Sequence, residues 1–78
     1  MIKEMFYTKN TLYIFLENNI SKKTTIILKN RLYSILSEYS IENIIIDIER
    51  VNKLDDNFYD LLSDYNIQFK GKIKVDTV

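Results

Sequence analysis

Residues 43–48 read NIIIDI, a short run in which isoleucine fills most positions. Isoleucine is branched at Cβ and packs well on the pleated surface of a sheet, so the run favours a strand. The side chains of a strand alternate between two faces, and here both faces receive isoleucine. A strand that is apolar on both sides is typical of the interior of a parallel sheet. The run therefore predicts a central strand of an α/β domain.

A helix is predicted after this strand, beginning within VNKLDDNFYDLL at residues 51–62. Apolar residues return with the spacing of one helix face, at Leu54, Phe58, Leu61, Leu62 and Tyr65. The stripe continues to Phe69, with Gly71 as a stop signal. Equally, alternating apolar residues up to Val75 fit one long strand that begins right after Asn66. We favour the earlier helix end, at Asn66, and a last strand in the alternating segment from Gly71 onward.

Another helix is predicted upstream, from Lys22 or Lys23 to Tyr39. Its apolar positions recur along one face, at Leu28, Leu32, Ile35, Leu36 and Tyr39. Ser21 stands directly before it and suits the N-cap position, because its hydroxyl can accept a hydrogen bond from an amide of the first turn. The polar stretch that begins at Asn18 and includes Ser21 predicts a turn into this helix.

Two strands joined by a hairpin are predicted at the N-terminus, at Ile2 to Tyr7 and Leu12 to Leu16. Thr8 to Asn10 forms the predicted loop, with Asn10 able to adopt a left-handed conformation. In the second strand the leucines and Ile14 occupy one face, whereas the aromatic residues occupy the other. We expect the less covered face of the sheet to carry three aromatic residues: Tyr7, Tyr13 and Phe15.

The element order is β-β-α-β-α-β, within a single domain over residues 1–78. Strand–helix–strand units of one sheet require parallel strands and right-handed crossovers, which place both helices on the same face. The predicted fold is an α/β domain with a mixed four-stranded sheet and two helices on one face. Its shared core is expected to contain Leu32, Leu36, Ile44, Ile46, Phe58 and Leu62.

The amino-acid composition limits the classes of function that this chain can have. Apolar residues make up 46% of the chain and charged residues 28%, which is typical of a folded globular domain. The absence of Cys and His excludes thiolate chemistry and a typical zinc site, and we expect no cofactor or metal.

The N-terminus has no apolar run of signal-peptide length, and no run could span a membrane. A cytoplasmic protein without membrane association is the expectation.

The adjacent carboxylates Asp55 and Asp56 stand where the second helix begins. One interpretation is structural, because an acidic N-cap accepts hydrogen bonds from the first turn and an acidic neighbour interacts well with the helix dipole. A catalytic interpretation lacks a nearby nucleophile, base or phosphate-binding loop. A calcium site is disfavoured because the glycine and bidentate glutamate of a calcium loop are missing. We expect no enzymatic activity from this pair.

Residues 11–65 resemble a STAS domain, the fold of the bacterial anti-sigma factor antagonists. That family has a signature of the type Asp-Ser-Ser-Gly at the start of its second helix, and the matching residues here are Asp55, Asp56, Asn57 and Phe58. Ile20 to Thr24 resembles the family's Leu-Asp-x-x-Thr turn before the first helix. In the antagonists a serine of the signature is phosphorylated by a partner kinase. Asp56 occupies that position and cannot be phosphorylated by such a kinase.

The resemblance implies a protein-interaction module that binds an anti-sigma factor or a related regulator of transcription. The implied contact surface is the N-terminal end of the second helix with the turn before the first helix. The residues assigned to it are Ser21, Lys22, Lys23, Asp55, Asp56, Asn57, Tyr59 and Asp60.

Two other functions stay open. Lys70, Lys72 and Lys74 alternate along a predicted edge strand, with Lys53 nearby in sequence, and such a row could contact nucleic acid. Edge lysines more often prevent aggregation, and equal numbers of basic and acidic residues, 11 of each, disfavour a nucleic-acid partner. Self-association as a homodimer is the third candidate, since a short domain can leave apolar sheet surface uncovered.

Overall fold

The structure is a computed structural model that describes residues 1–68 and 71–76, with side chains described for residues 1–63 and 71–75. The predicted order of elements is confirmed. The strands and helices are β1 (Ile2–Thr8), β2 (Thr11–Ile20), α1 (Lys22–Glu38), β3 (Asn43–Leu54), α2 (Asn57–Gln68) and β4 (Lys72–Asp76).

The strands form a four-stranded sheet in the order β1-β2-β3-β4. β1 and β2 are antiparallel, whereas β2 pairs with β3 and β3 with β4 in parallel. The two strands that the sequence marks as apolar on both sides, β2 and β3, are therefore the interior strands. The predicted mixed sheet is confirmed.

The β1–β2 hairpin closes through Lys9 and Asn10, at φ 49° and 61°. Positive φ at both positions gives the twist that a two-residue hairpin loop needs, and the left-handed conformation predicted for Asn10 is confirmed. The predicted loop was one residue too long, because Thr8 pairs with Thr11 inside the sheet.

The hairpin register corrects the position of one aromatic residue. Tyr7 pairs with Leu12 and so lies on the helix side of the sheet, not on the less covered side. Its hydroxyl donates to the backbone oxygen of Ser40 at 2.8 Å. Its ring packs against that of Tyr39, with the two ring centroids 5.6 Å apart. Tyr7 thereby ties the hairpin to the end of α1.

The side of the sheet away from the helices is called the open face. Phe6 stacks there on Tyr13 and Phe15, with ring centroids 5.0 and 5.9 Å apart. The prediction that Tyr13 and Phe15 lie on this face is confirmed. Phe6 replaces Tyr7 as their companion, and its side chain is 42% exposed.

Both interior strands are longer than predicted. The turn expected from Asn18 is wrong, because β2 continues to Ile20 and β3 runs on to Leu54, its pairing partner. Asn18 adopts a left-handed φ of 62°, and the β2–β3 register shifts directly after it. A bulge thus absorbs the polar residues that suggested a turn. Leu54 ends a strand instead of starting a helix.

Both helices pack on the same face of the sheet and share one core. α1 contributes Leu28 and Leu32, which are buried against residues from α2 and from the two interior strands. The buried set is Leu12, Ile14, Leu16, Ile20, Leu28, Leu32, Ile44, Ile46, Phe58, Leu61 and Leu62. Every predicted core residue belongs to this set except Leu36, which is partly buried against it.

α2 extends to Gln68, beyond the favoured end at Asn66. The alternative of one long strand is also wrong, because β4 begins at Lys72. The pairing with β3 accounts for this start, because Lys72 lies opposite Asn43, the first residue of β3. Phe69 and the side chain of Tyr65, both assigned to the helical stripe from the sequence, lie outside the described residues.

Candidate functional site

The N-terminal ends of both helices meet at one edge of the sheet. Since β2 and β3 are parallel, their carboxyl ends lie side by side, and their last pair is Ile20 with Leu54. Ser21 leads from β2 into α1, and Asp55 leads from β3 towards α2. The amide of Asp55 donates to the backbone oxygen of Ile20 at 2.8 Å, which joins the two turns directly.

Ser21 caps α1 as predicted. The amide of Thr24 donates to the Ser21 hydroxyl oxygen at 3.2 Å, and the Thr25 hydroxyl donates to the Ser21 backbone oxygen at 3.0 Å. The first contact satisfies an amide that the first turn of a helix leaves without a partner in the helix, and the second ties the Thr25 side chain to the same turn. The serine hydroxyl is therefore occupied in holding the turn.

Asp55 has the same role for α2. Its carboxylate accepts from the amide of Asn57 at 3.1 Å, and its backbone oxygen accepts from the amide of Phe58 at 3.0 Å. The side chain of Asp55 is partly buried, whereas that of Asp56 is exposed. The two adjacent carboxylates at the start of α2 therefore differ in role: Asp55 caps the helix, and Asp56 faces solvent.

The acidic rim of α2 continues from Asp56 through Asn57 to Asp60, and all three are exposed. Asp60 lies in the first turn, where a negative charge interacts favourably with the helix dipole. Tyr59 is 54% exposed but borders a different cleft, beside Ile73 and Val75 of β4. The structure therefore places Asp56 and Asp60 on the exposed rim of α2 and Tyr59 on the flank facing β4.

The turn before α1 and the turn before α2 enclose a shallow cleft of about 300 Å³. Its lining residues are Asn19, Ile20, Ser21, Lys22, Lys53 and Asp55. Lys23 is exposed and does not line it. Of the residues assigned from the sequence, Ser21, Lys22 and Asp55 share this cleft.

Lys53 is separated from the lysines of β4. It pairs with Asn19 near the end of β3, whereas Lys72 and Lys74 lie opposite the first residues of that strand. Lys53 and the β4 lysines are therefore at opposite ends of the sheet. Lys70, the remaining member of the proposed nucleic-acid row, lies outside the described residues.

Sequence reasoning missed a second cleft, which we call the interhelical groove. It has a volume of about 210 Å³ and is bordered by Lys22, Thr25, Ile26, Lys29, Asn57, Asp60 and Leu61. Ile26 and Lys29 had not been assigned to any site. The available signal was their spacing, since Lys22, Ile26 and Lys29 are four and three residues apart and so share one helix face.

The chemistry of this edge is that of an exposed charged surface. Among the described residues, no group of three or more acidic, Cys or His side chains could hold a metal ion. Within the same part of the chain, no helix has the length and apolar character needed to cross a membrane. The carboxylates of Asp56 and Asp60 and the nearby lysines are suited to hydrogen bonds and ion pairs with another molecule.

Two solved structures of the Bacillus protein SpoIIAA are similar to this chain. The unphosphorylated form, an anti-sigma factor antagonist, gives a TM-score of 0.81 at 14% sequence identity, covering 92% of this chain and 69% of SpoIIAA. The phosphorylated form, described as a cell fate determinant, gives 0.77 at 15% identity, over 90% of this chain and 67% of SpoIIAA. The chain has a STAS-type fold.

A structure of Mglu is also similar, with a TM-score of 0.76 at 13% identity over 95% of this chain. The matched region is 19% of Mglu, so the likeness concerns one part of a much longer chain. No family model matches the sequence. No curated protein matches it either. The likeness between this STAS-type chain and its counterparts is therefore one of fold.

Proposed function

We propose that this protein is a non-enzymatic, STAS-type interaction module that binds a regulatory protein at its helix-terminus surface. This surface comprises the N-terminal end of α2 and the turn before α1, with Tyr59 at its margin. Its members are Ser21, Lys22, Lys23, Asp55, Asp56, Asn57 and Asp60. The observation that carries the proposal is that both helix N-termini meet at one sheet edge, where Asp56 and Asp60 are exposed.

The likeness to SpoIIAA supports the choice of partner. SpoIIAA is an anti-sigma factor antagonist, and its structure is known with and without phosphate. By analogy, the partner of this chain is an anti-sigma factor or a related regulator of transcription in the cytoplasm of a bacterium. The likeness to SpoIIAA is one of fold, at 14% and 15% sequence identity, so the choice of partner is a proposal.

Asp56 gives the proposed interface a fixed charge. A phosphoserine carries about −1.5 to −2 charges and three acceptor oxygens, whereas an aspartate carries one charge and two oxygens. Asp56 is therefore an incomplete imitation of a phosphorylated serine. We infer a constitutive interface that accepts an acidic group, since a chain locked in the non-binding state would have no use for the surface.

The test is the variant Asp56→Ser, which keeps a small polar side chain next to the Asp55 cap. We expect an unchanged thermal midpoint and an altered affinity for the partner, identified by capture from the native host and mass spectrometry. Glu4→Ser is the matched control, because Glu4 is an exposed carboxylate in β1, away from both helix termini. Indistinguishable binding by the parent and Asp56→Ser would place the interface elsewhere.

A further inference from the structure

The charges of α1 oppose its own dipole. Lys22 and Lys23 begin the helix and Glu38 ends it, and no acidic residue lies in the first turn. The N-terminus of a helix carries partial positive charge, so lysines there are unfavourable for the isolated helix. α2 has the opposite arrangement, with Asp60 in its first turn. The lysines of α1 are thus not explained by helix stability.

No described residue forms a direct ion pair with these lysines. Lys22, Lys23 and Lys29 are exposed and form no ion pair or hydrogen bond through their side chains with a described residue. Two isoleucines are exposed beside them, Ile26 by 49% and Ile27 by 41%. The first two turns of α1 therefore present basic and apolar side chains together to solvent.

Part of this basic and apolar strip forms one wall of the interhelical groove. Lys22, Ile26 and Lys29 border the groove from α1, and Asn57 and Asp60 border it from α2. Thr25 and Leu61, both buried, lie between the two walls. The groove therefore has a positive wall on α1, a negative wall on α2 and a base that combines apolar Leu61 with polar Thr25.

We propose that the interhelical groove binds an amphipathic segment of the protein partner, with acidic side chains against Lys22 and Lys29 and an apolar side chain against Ile26. Basic side chains of the same segment would face Asp60. This inference rests on the proposed function, because it gives the chemistry of the partner that the module binds. Opposite charges on the two walls also set the orientation in which such a segment can bind.

The charge distribution favours a protein segment over a polyanion. A nucleic acid or an anionic membrane would bring negative charge to both walls, and Asp60 in the α2 wall would repel it. The chain has no excess of basic residues to offset that repulsion, with a formal net charge of zero. A segment carrying both signs of charge satisfies both walls.

The experiment titrates the isotopically labelled full chain with a synthetic helical peptide that has glutamates on one side of an apolar stripe and lysines on the other. We expect shifts of the amide signals along Lys22–Lys29 and Asn57–Leu61. The double variant Lys22→Glu and Lys29→Glu should weaken binding about tenfold or more, with an effect that shrinks at high salt. Lys9→Glu with Lys72→Glu makes the same charge change outside the groove and should bind as the parent does.

A folding readout separates binding from damage. At the start of α1, Lys22→Glu agrees with the helix dipole, which offsets the repulsion of the new carboxylates by Asp60 across the groove. The double variant should therefore keep a thermal midpoint near that of the parent while it loses affinity for the peptide. Three results would overturn the inference: no binding of the peptide, equal binding of a version with all glutamates replaced by lysine, or preferential binding of single-stranded DNA or phosphatidylglycerol vesicles. If Asp56→Ser alters capture of the host partner and the groove variant does not, the proposed function stands and this inference fails.

Discussion

The two faces of the sheet are built from the same strands by different means. In β2, Leu12, Ile14 and Leu16 are buried beneath the helices, whereas Tyr13 and Phe15 between them are only half-buried on the open face. The helix face is stabilised by removing aliphatic side chains from water on all sides. The open face depends on contacts between neighbouring strands, such as the stacking of Phe6 on Tyr13.

Among the residues whose side chains the structure describes, one carboxylate is buried, and it lies on the open face. Asp47 of β3 is 8% exposed, and its Oδ1 accepts from the amide of Glu49 at 2.8 Å. It lies opposite Phe15 in the sheet. A buried carboxylate needs such a partner, because an unpaired one would be costly. The helix face therefore supplies most of the stability, whereas the open face tolerates polar groups and exposure.

The substitution with the largest expected effect on the free energy of unfolding tests the helix face. Phe58 of α2 is fully buried in the core, and Phe58→Ala should lower the free energy of unfolding by about 3–5 kcal/mol. Such a loss is a large part of the stability of a small domain, so Ile46→Val, at about 0.5–1.5 kcal/mol, provides a measurable companion. Urea unfolding followed by circular dichroism measures both. A loss below about 1 kcal/mol for Phe58→Ala would contradict the shared core.

A smaller effect is expected on the open face. Phe6 takes part in both aromatic contacts there, and each such pair contributes about 0.5–1.5 kcal/mol. Phe6→Ala should therefore cost about 1–3 kcal/mol. A double-mutant cycle with Tyr13→Ala should show coupling, because the two rings touch. Additive losses would mean that the stack contributes nothing beyond burial, and a loss equal to that of Phe58→Ala would erase the contrast between the faces.

The smallest effects are expected from substitutions at the sheet edge where the helices begin. These substitutions change neither face of the sheet. Asp55→Ala removes the acceptor for the Asn57 amide and should cost about 1 kcal/mol. Asp56→Ala removes a carboxylate with no such contact and should change stability by less than about 0.5 kcal/mol. Thermal melts of the two variants side by side check this difference. Equal losses would show that both carboxylates support the helix.

The sequence predicted the element order and most of the core, because apolar spacing alone reports the faces of strands and helices. It misplaced Tyr7 for a physical reason. A three-residue loop at Thr8 to Asn10 would pair Tyr7 with Thr11, on the open face, but the observed two-residue loop pairs it with Leu12. A slip of one residue exchanges the two faces of a strand. Loop length at this hairpin was the missing information.

The candidate site was predicted only in part, because some of its features are local in sequence and others depend on how distant elements pack. The cap roles of Ser21 and Asp55 are local, so residue type and position were sufficient to find them. The interhelical groove depends on how α1 lies against α2, which no local pattern reports. The position of Lys53 depended on the unexpected length of β3, because the bulge at Asn18 carries strand pairing through residues that resemble a turn.

The parallel pairing of β2 with β3 has a consequence for synthesis of the chain. Its contacts join residues that are far apart in sequence, such as Thr11 with Asn43, whereas the hairpin closes locally. On the ribosome, β1, β2 and α1 emerge before the strand that completes the interior of the sheet. Until β3 arrives, one edge of β2 has no partner, and Leu12, Ile14 and Leu16 lack the cover that Phe58 and Leu62 later provide. The nascent chain therefore passes through a stage that is open to chaperones and to aggregation, and the arrival of β3 and α2 ends that stage.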